Sequence, residues 1–117
     1  MKDRNDRALG FLPLTEATYY VLVSLVEPRH GYGIMRNVAE IGGKKVSLGP
    51  GTLYGALTNL LKQGLIERAG ELESEGDRRK VYGLTKLGRS VLALETERLG
   101  SLSRIGEQSL KKIGGKK

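Results

Sequence analysis

The chain contains no cysteine. A disulfide framework and a thiolate metal site are both excluded, so the fold must rest on packing alone, as suits a protein of the reducing cytoplasm. Histidine occurs once, at His30, and no histidine pair can be assembled around a metal. Long apolar runs are missing too. The best, "YYVLVSLV" from Tyr19 to Val26, falls far short of the ~20 residues that a bilayer-spanning helix requires. The opening "MKDRNDRALG" is charged and lacks the apolar segment of a secretory signal. These absences predict a soluble cytoplasmic protein with no metal or cofactor and no contact with a membrane. Catalytic constellations are absent as well: no nucleophile is paired with a base, and no carboxylate pair shares an apolar setting that could tune it. No enzyme is expected.

What the sequence has is positive charge. Twenty Lys and Arg against thirteen Asp and Glu leave a net charge of +7 and a pI near 9.8, a balance that favours polyanionic partners. At 117 residues the chain is one domain with room for an appendage.

Along it, Leu14-Thr15-Glu16 has the features of a helix start: Thr15 as cap, Glu16 at the positive end and Leu14 folding back on the first turn. The helix is expected to run to about Glu27, before Pro28, with "EPRHG" as a turn. A second helix, "GYGIMRNVAEI", carries Ile34, Val38 and Ile41 on one face and ends at Gly42-Gly43. A third follows Gly49, with Pro50 at the first helical position; Leu53, Leu57, Leu60 and Leu61 recur at helical spacing until Gly64 stops it. The runs "LIERA" and "KVYGLT" then read as a two-stranded hairpin whose long charged tip is "GELESEGDRR". From the cap Thr85 a last helix extends over 86–113, although Gly88, Gly100 and Gly106 each weaken it by up to about 1 kcal/mol. Unbroken, it reaches roughly 40 Å, beyond what a three-helix core can cover. The final residues, 114–117, are expected to be a disordered tail.

The Gly49-Pro50-Gly51 entry to the third helix invites comparison with a phosphate-binding loop. "GPGTLYG" lacks the Lys-Ser/Thr of a P-loop, however, and Pro50 removes an amide donor where a cradle needs one. Three helices, a hairpin directly after the third, and a protruding helix form the order of a winged helix-turn-helix. In that architecture the first two helices buttress the third, which enters a major groove about 12 Å wide.

Three blocks, "LTEATYYVLVSLVEPRHGYGIMRNV", "GPGTLYGALTNLLKQGLIE" and "DRRKVYGLTKLGRSVL", closely resemble in order and spacing the signature blocks of the PadR family of bacterial transcriptional regulators. The resemblance covers residues 14 to 95. It implies a homodimeric repressor of a palindromic operator, of a kind that in some members is released by a small aromatic or drug-like ligand. The C-terminal part is similar to that of short-tailed members with one long terminal helix. It departs from members whose dimer cavity is lined by tryptophan, since this chain has none.

The chain thus divides into an N-terminal arm (1–13), a winged helix-turn-helix (14–85), a dimerisation helix (86–113) and the tail. With Leu53, Leu57 and Leu60 turned inward, the third helix shows Thr52, Tyr54, Gly55, Ala56, Thr58, Asn59 and Lys62 to the outside. Hydroxyls, an amide and an ammonium there suit phosphates and base edges, and the small residues permit close approach. Arg78, Arg79 and Lys80 on the hairpin are candidates for a phosphate or a minor groove. Lys44, Lys45 and Ser47 ahead of the third helix and Tyr32 at the start of the second are further phosphate candidates. His30 reads as turn or packing chemistry and Tyr82 as strand packing. Leu92, Leu99, Leu102, Ile105, Leu110 and Ile113 form a loose apolar stripe on the last helix. With Tyr19 of the first helix, Leu92, Leu99, Leu102, Ile105 and Leu110 are the expected dimer contacts, and the Tyr19-Tyr20 pair would wall an effector pocket. The competing reading is a winged-helix module that binds a protein partner instead of DNA, suggested by the acidic hairpin tip and the apolar stripe.

Overall fold

Thr15 caps as the sequence predicts: its Oγ accepts the amide of Thr18 at 3.1 Å and opens a helix over Glu16–Ser24. The computed structural model describes residues 4–43, 46–74 and 77–114; at 4–5 and 71–78 it describes the backbone alone. Lys44, Lys45, the end of the expected tail and the side chain of Arg78 therefore lie outside the described residues. In chain order the elements are α1 (Arg4–Leu9), α2 (Glu16–Ser24), β1 (Arg29–His30), α3 (Gly31–Ile41), α4 (Pro50–Gln63), β2 (Ile66–Ser74), β3 (Asp77–Leu84) and α5 (Lys86–Lys112). The protein is mainly helical, with a small antiparallel sheet of order β1-β3-β2.

The core lies where α2, α3, α4 and the first turns of α5 converge. Val21, Leu22 and Leu25 meet Ile34 and Val38 of α3, Leu53, Leu57 and Leu60 of α4, and Val91 of α5, all of them buried. Each such side chain contributes about 1.5–3 kcal/mol by leaving water. α3 and α4 have the predicted limits. Gly43, at φ +64, takes the left-handed conformation after α3, and Gly64, at φ +78, does so after α4. The end of α4 is tied to the start of α5 by Thr85, whose Oγ accepts the Gly88 amide and donates to the Gly64 carbonyl at 2.6 Å. Gly88 is needed there, because a Cβ at this position would collide with the Leu65 carbonyl oxygen.

Three expectations are revised. α2 stops at Ser24, three residues early, because Arg29 Nε donates to the Ser24 carbonyl at 2.7 Å and the chain turns over Leu25 toward Pro28. Residues 29–30 are a short strand, with Arg29 opposite Tyr82 and His30 opposite Val81, so the hairpin acquires a third strand. The charged tip is strand for most of its length: Glu71 pairs across the ladder with Lys80 and Glu73 with Arg78. Opposite charges at facing positions favour that register, and a count of polar residues hides it. A bulge between Arg68 and Gly70, where Gly70 has φ +130, takes up the extra residue. The last helix, α5, has close to its expected span and is continuous over 27 residues despite its glycines. Within the N-terminal arm, α1 packs on α5 through the buried Ala8, an element that no periodicity announced. Among the described residues no helix is long and apolar enough to cross a membrane.

Candidate nucleic-acid interface

α4 is held by its leucines and turns its other side outward. Leu53, Leu57 and Leu60 are buried, whereas Gly51, Thr52, Tyr54, Gly55, Thr58, Asn59 and Lys62 are exposed and Ala56 is partly covered. The centre of the outer face is the Gly51-Gly55-Lys62 line with Thr58 beside it, since these residues lie opposite the three leucines on a helix of 3.6 residues per turn. A Cβ added at Gly51 or at Gly55 would meet nothing within 4 Å, so no contact inside the chain calls for a glycine at either position. Gly49 caps the helix without a side-chain bond, which leaves the amides of Gly51 and Thr52 open. Open amides at a positive helix end suit an anion. The Thr58 hydroxyl donates to the Tyr54 carbonyl at 2.9 Å, so its oxygen faces outward as an acceptor.

Tyr54 and Asn59 flank this face on opposite sides. Asn59 borders a shallow depression beside Phe11, Pro13, Thr15 and Thr18. Tyr54 reaches the other way and lies over the first residue of α3, where any Cβ on Gly31 would collide with its hydroxyl. Its ring is still 47% exposed and forms one wall of a cleft of about 420 Å³ between α4, the start of α3 and the wing. His30, Gly31, Tyr32, Arg79, Lys80 and Tyr82 complete the lining. The structure thus brings together the predicted residues Tyr32, Tyr54, Arg79 and Lys80. Ser47 is exposed in the segment before α4, outside this cleft.

Two residues escaped the sequence reading, one in the cleft lining and one packed on it. His30 is the N-cap of α3: its Nδ1 accepts the Gly33 amide at 3.1 Å. Histidine is not among the usual caps, so the lone histidine before a helical pattern carried no signal. Arg36 lies one turn along α3, its guanidinium 5.8 Å from the centre of the Tyr32 ring, and Tyr32 in turn stacks on His30 at 6.4 Å with 9° between the planes. A cation over an aromatic face is attracted by the ring quadrupole. The spacing of Tyr32 and Arg36, four apart on one helix, was the available clue.

The predicted dimer contacts divide. Leu92 packs on the chain's own core. Tyr19 donates or accepts a 2.7 Å bond with Thr96 Oγ and, with Leu14, Tyr20, Val23, Glu95 and Leu99, lines an apolar groove of about 550 Å³ between α2 and α5. Leu102, Ile105 and Leu110 are more than half exposed on the protruding part of α5.

Comparison with known proteins agrees with this geometry. The model of the transcriptional regulator PadR-like family matches residues 14–94. A PadR family transcriptional regulator from Eggerthella lenta superposes with a TM-score of 0.66 at 26% identity, over 90% of this chain and 86% of that one. Bacillus subtilis PadR, solved in complex with operator DNA, does so with a TM-score of 0.60 at 26% identity, over 69% of this chain and 46% of that one. In sequence, an uncharacterized 37.1 kDa protein in transposon TN4556 of Streptomyces fradiae is 37% identical over 89 residues, 75% of this chain. The chain spans about a quarter of that relative, 24% of its length. The family match takes in α2, α3, α4, the wing and the root of α5, and the chain belongs to the PadR-like family of transcriptional regulators.

Proposed function

We propose that the chain is a homodimeric, DNA-binding repressor of the cytoplasm. Two copies of α4 enter successive major grooves of a palindromic operator, and the wings lie along the flanking backbone. The observation that carries this is the outer face of α4, anchored from behind by three buried leucines and lined with hydroxyls, an amide, a lysine and two glycines that no internal contact explains. The operator complex of the Bacillus subtilis relative supports it. Repression rests on the family resemblance. Pairing rests on the apolar residues of α5 that the single chain leaves uncovered, Leu99, Leu102, Ile105 and Leu110. The groove walled by Tyr19 and Tyr20 adjoins that surface, so a small aromatic ligand seated in it would separate or reorient the two α4 helices.

Selection of bound duplexes from a random pool tests the reading. Enriched palindromes are expected, with half-sites one helical turn, about 34 Å, or a multiple of it apart. Replacing Asn59 with Ala should weaken an enriched site more than random DNA, whereas replacing Arg79 with Gln should weaken both. A chain that enriches no palindrome, or that stays monomeric at binding concentrations, overturns the proposal and favours a protein-binding module. For the effector, a thermal-shift screen with planar aromatic compounds should yield at least one stabilised complex.

A further inference from the structure

The cleft between α4, α3 and the wing contains donors to which the helix-in-groove picture gives no work. Among the described residues, each polar side chain lining it can donate a hydrogen bond, and none is a carboxylate. A base edge presents donors and acceptors together, while a phosphodiester presents acceptors alone. A wall of donors therefore fits the DNA backbone.

His30 is the decisive residue. Its Nδ1 accepts the Gly33 amide, and an imidazole nitrogen that accepts carries no hydrogen. The ring proton is then on Nε2, which can only donate. The Nδ1 and Cε1 atoms face Gly33, each about 3.7 Å or less from where a Cβ would stand, and the ring as a whole lines the cleft. Stacking on Tyr32, which Arg36 covers in turn, restrains the ring in this orientation. Across the cleft the Tyr54 hydroxyl has no hydrogen-bond partner among the described residues, and it is placed there by the absence of a side chain at Gly31. Two neutral donors thus line one cleft beside the cations of Arg79 and Lys80.

We propose that this cleft clamps one phosphodiester of the operator strand. His30 donates Nε2–H and Tyr54 donates its hydroxyl to the non-bridging phosphate oxygens, while Lys80 supplies charge at the rim. The assignment rests on the DNA-binding reading and adds to it a residue, His30, that acts as cap and ligand at once. It also gives Tyr54 the task of fixing the helix on the backbone in place of reading a base.

Fluorescence anisotropy with an enriched duplex and a random duplex over a salt series tests it. His30→Asn keeps an oxygen that can cap α3, and Tyr54→Phe keeps the ring; unchanged helicity and melting confirm that both variants fold. Each is expected to lose about tenfold in affinity on both duplexes alike, as the loss of a hydrogen bond to a charged group implies. Neither should change the slope of log affinity against log salt, because neither removes a charge. Lys80→Gln should reduce that slope by about 1. In a scan with single methylphosphonates, one position should cost the wild type most, and there His30→Asn should lose about tenfold less than the wild type, since only the Tyr54 and Lys80 contacts remain to be lost. If the wild type binds and the His30 and Tyr54 variants bind equally well, or lose affinity for the enriched duplex only, the clamp is wrong while DNA binding stands. If the wild type binds neither duplex, the underlying reading fails.

Discussion

Glu95 is a carboxylate with 1% of its surface exposed, set in α5 where the segment before α2 crosses it. Arg98 holds it through two bonds, Nε at 2.6 Å and Nη2 at 2.9 Å, and the Leu14 amide donates a third at 3.0 Å. The hydrogen bonds from Arg98 lower its pKa most; burial opposes them, and the Leu14 amide adds to the lowering. The unfolded chain, with an ordinary glutamate near 4.3, therefore binds more protons than the folded one between the two values. The stabilisation from Glu95 is complete above about pH 4.3 and is lost as pH falls through the lowered folded value. Glu95→Gln keeps the size and an acceptor for Leu14 but gives up the charge. Urea titrations should show it about 1–2 kcal/mol less stable than the wild type at neutral pH. That difference should shrink steadily below pH 4.3, and a constant difference down to the lowest pH would refute the role given to the pair. The i,i+3 spacing of Glu95 and Arg98 stood in the sequence, but neither the Leu14 amide that joins them nor the His30 cap was legible there. Glu95 lies 81 positions from Leu14, and a histidine has no standing as a cap until its ring is placed.

At the scale of elements, the legible parts were those in which local chemistry and packing agree. α3 and α4 appear with the limits that Gly43, Pro50 and Gly64 set, because each boundary residue has a conformational reason to stand there. The outer face of α4 was legible for the same reason, since the leucine spacing fixes which residues are left over. The wing was only half legible: strand pairing between Glu71 and Lys80 depends on register, and a run of charges in the sequence resembles a loop. The short α1 was hidden because its buried anchor among the described side chains, Ala8, is too small to mark a periodicity. The glycines of α4 lead to a prediction of their own. Gly55 is an interior helix position with open space around it, so Gly55→Ala should stabilise the fold by about 1 kcal/mol. The same methyl stands on the line that faces the groove, where it should cost roughly tenfold in operator affinity by holding the backbone off the DNA. Melting curves and binding titrations on the one variant separate the two effects. A variant that is more stable and binds as tightly as the wild type would leave Gly55 without a role in the interface.

For the whole molecule, the measure is the distance over which α5 carries the binding surface. The chain extends 60 × 42 × 21 Å, and the part of α5 beyond Ser101 is exposed on all its faces. An isolated helix end with Leu102, Ile105 and Leu110 in water is costly, whereas in the proposed dimer two such ends cover one another and set the separation of the two α4 helices. Binding then gains from linkage, because the first half-site engaged holds the second copy at a high effective concentration over the other. Leu102→Glu with Ile105→Glu places like charges in that contact while touching nothing in the core, so the variant should keep the wild-type helix content and sediment as a monomer. Its affinity for a single half-site should be unchanged, since α4, the wing and the cleft are intact. Its affinity for the full palindrome should fall by roughly 10²–10⁴. A shift to monomer with no loss on the palindrome would mean that each copy binds independently, and a dimer that survives both charges would move the contact off this stripe.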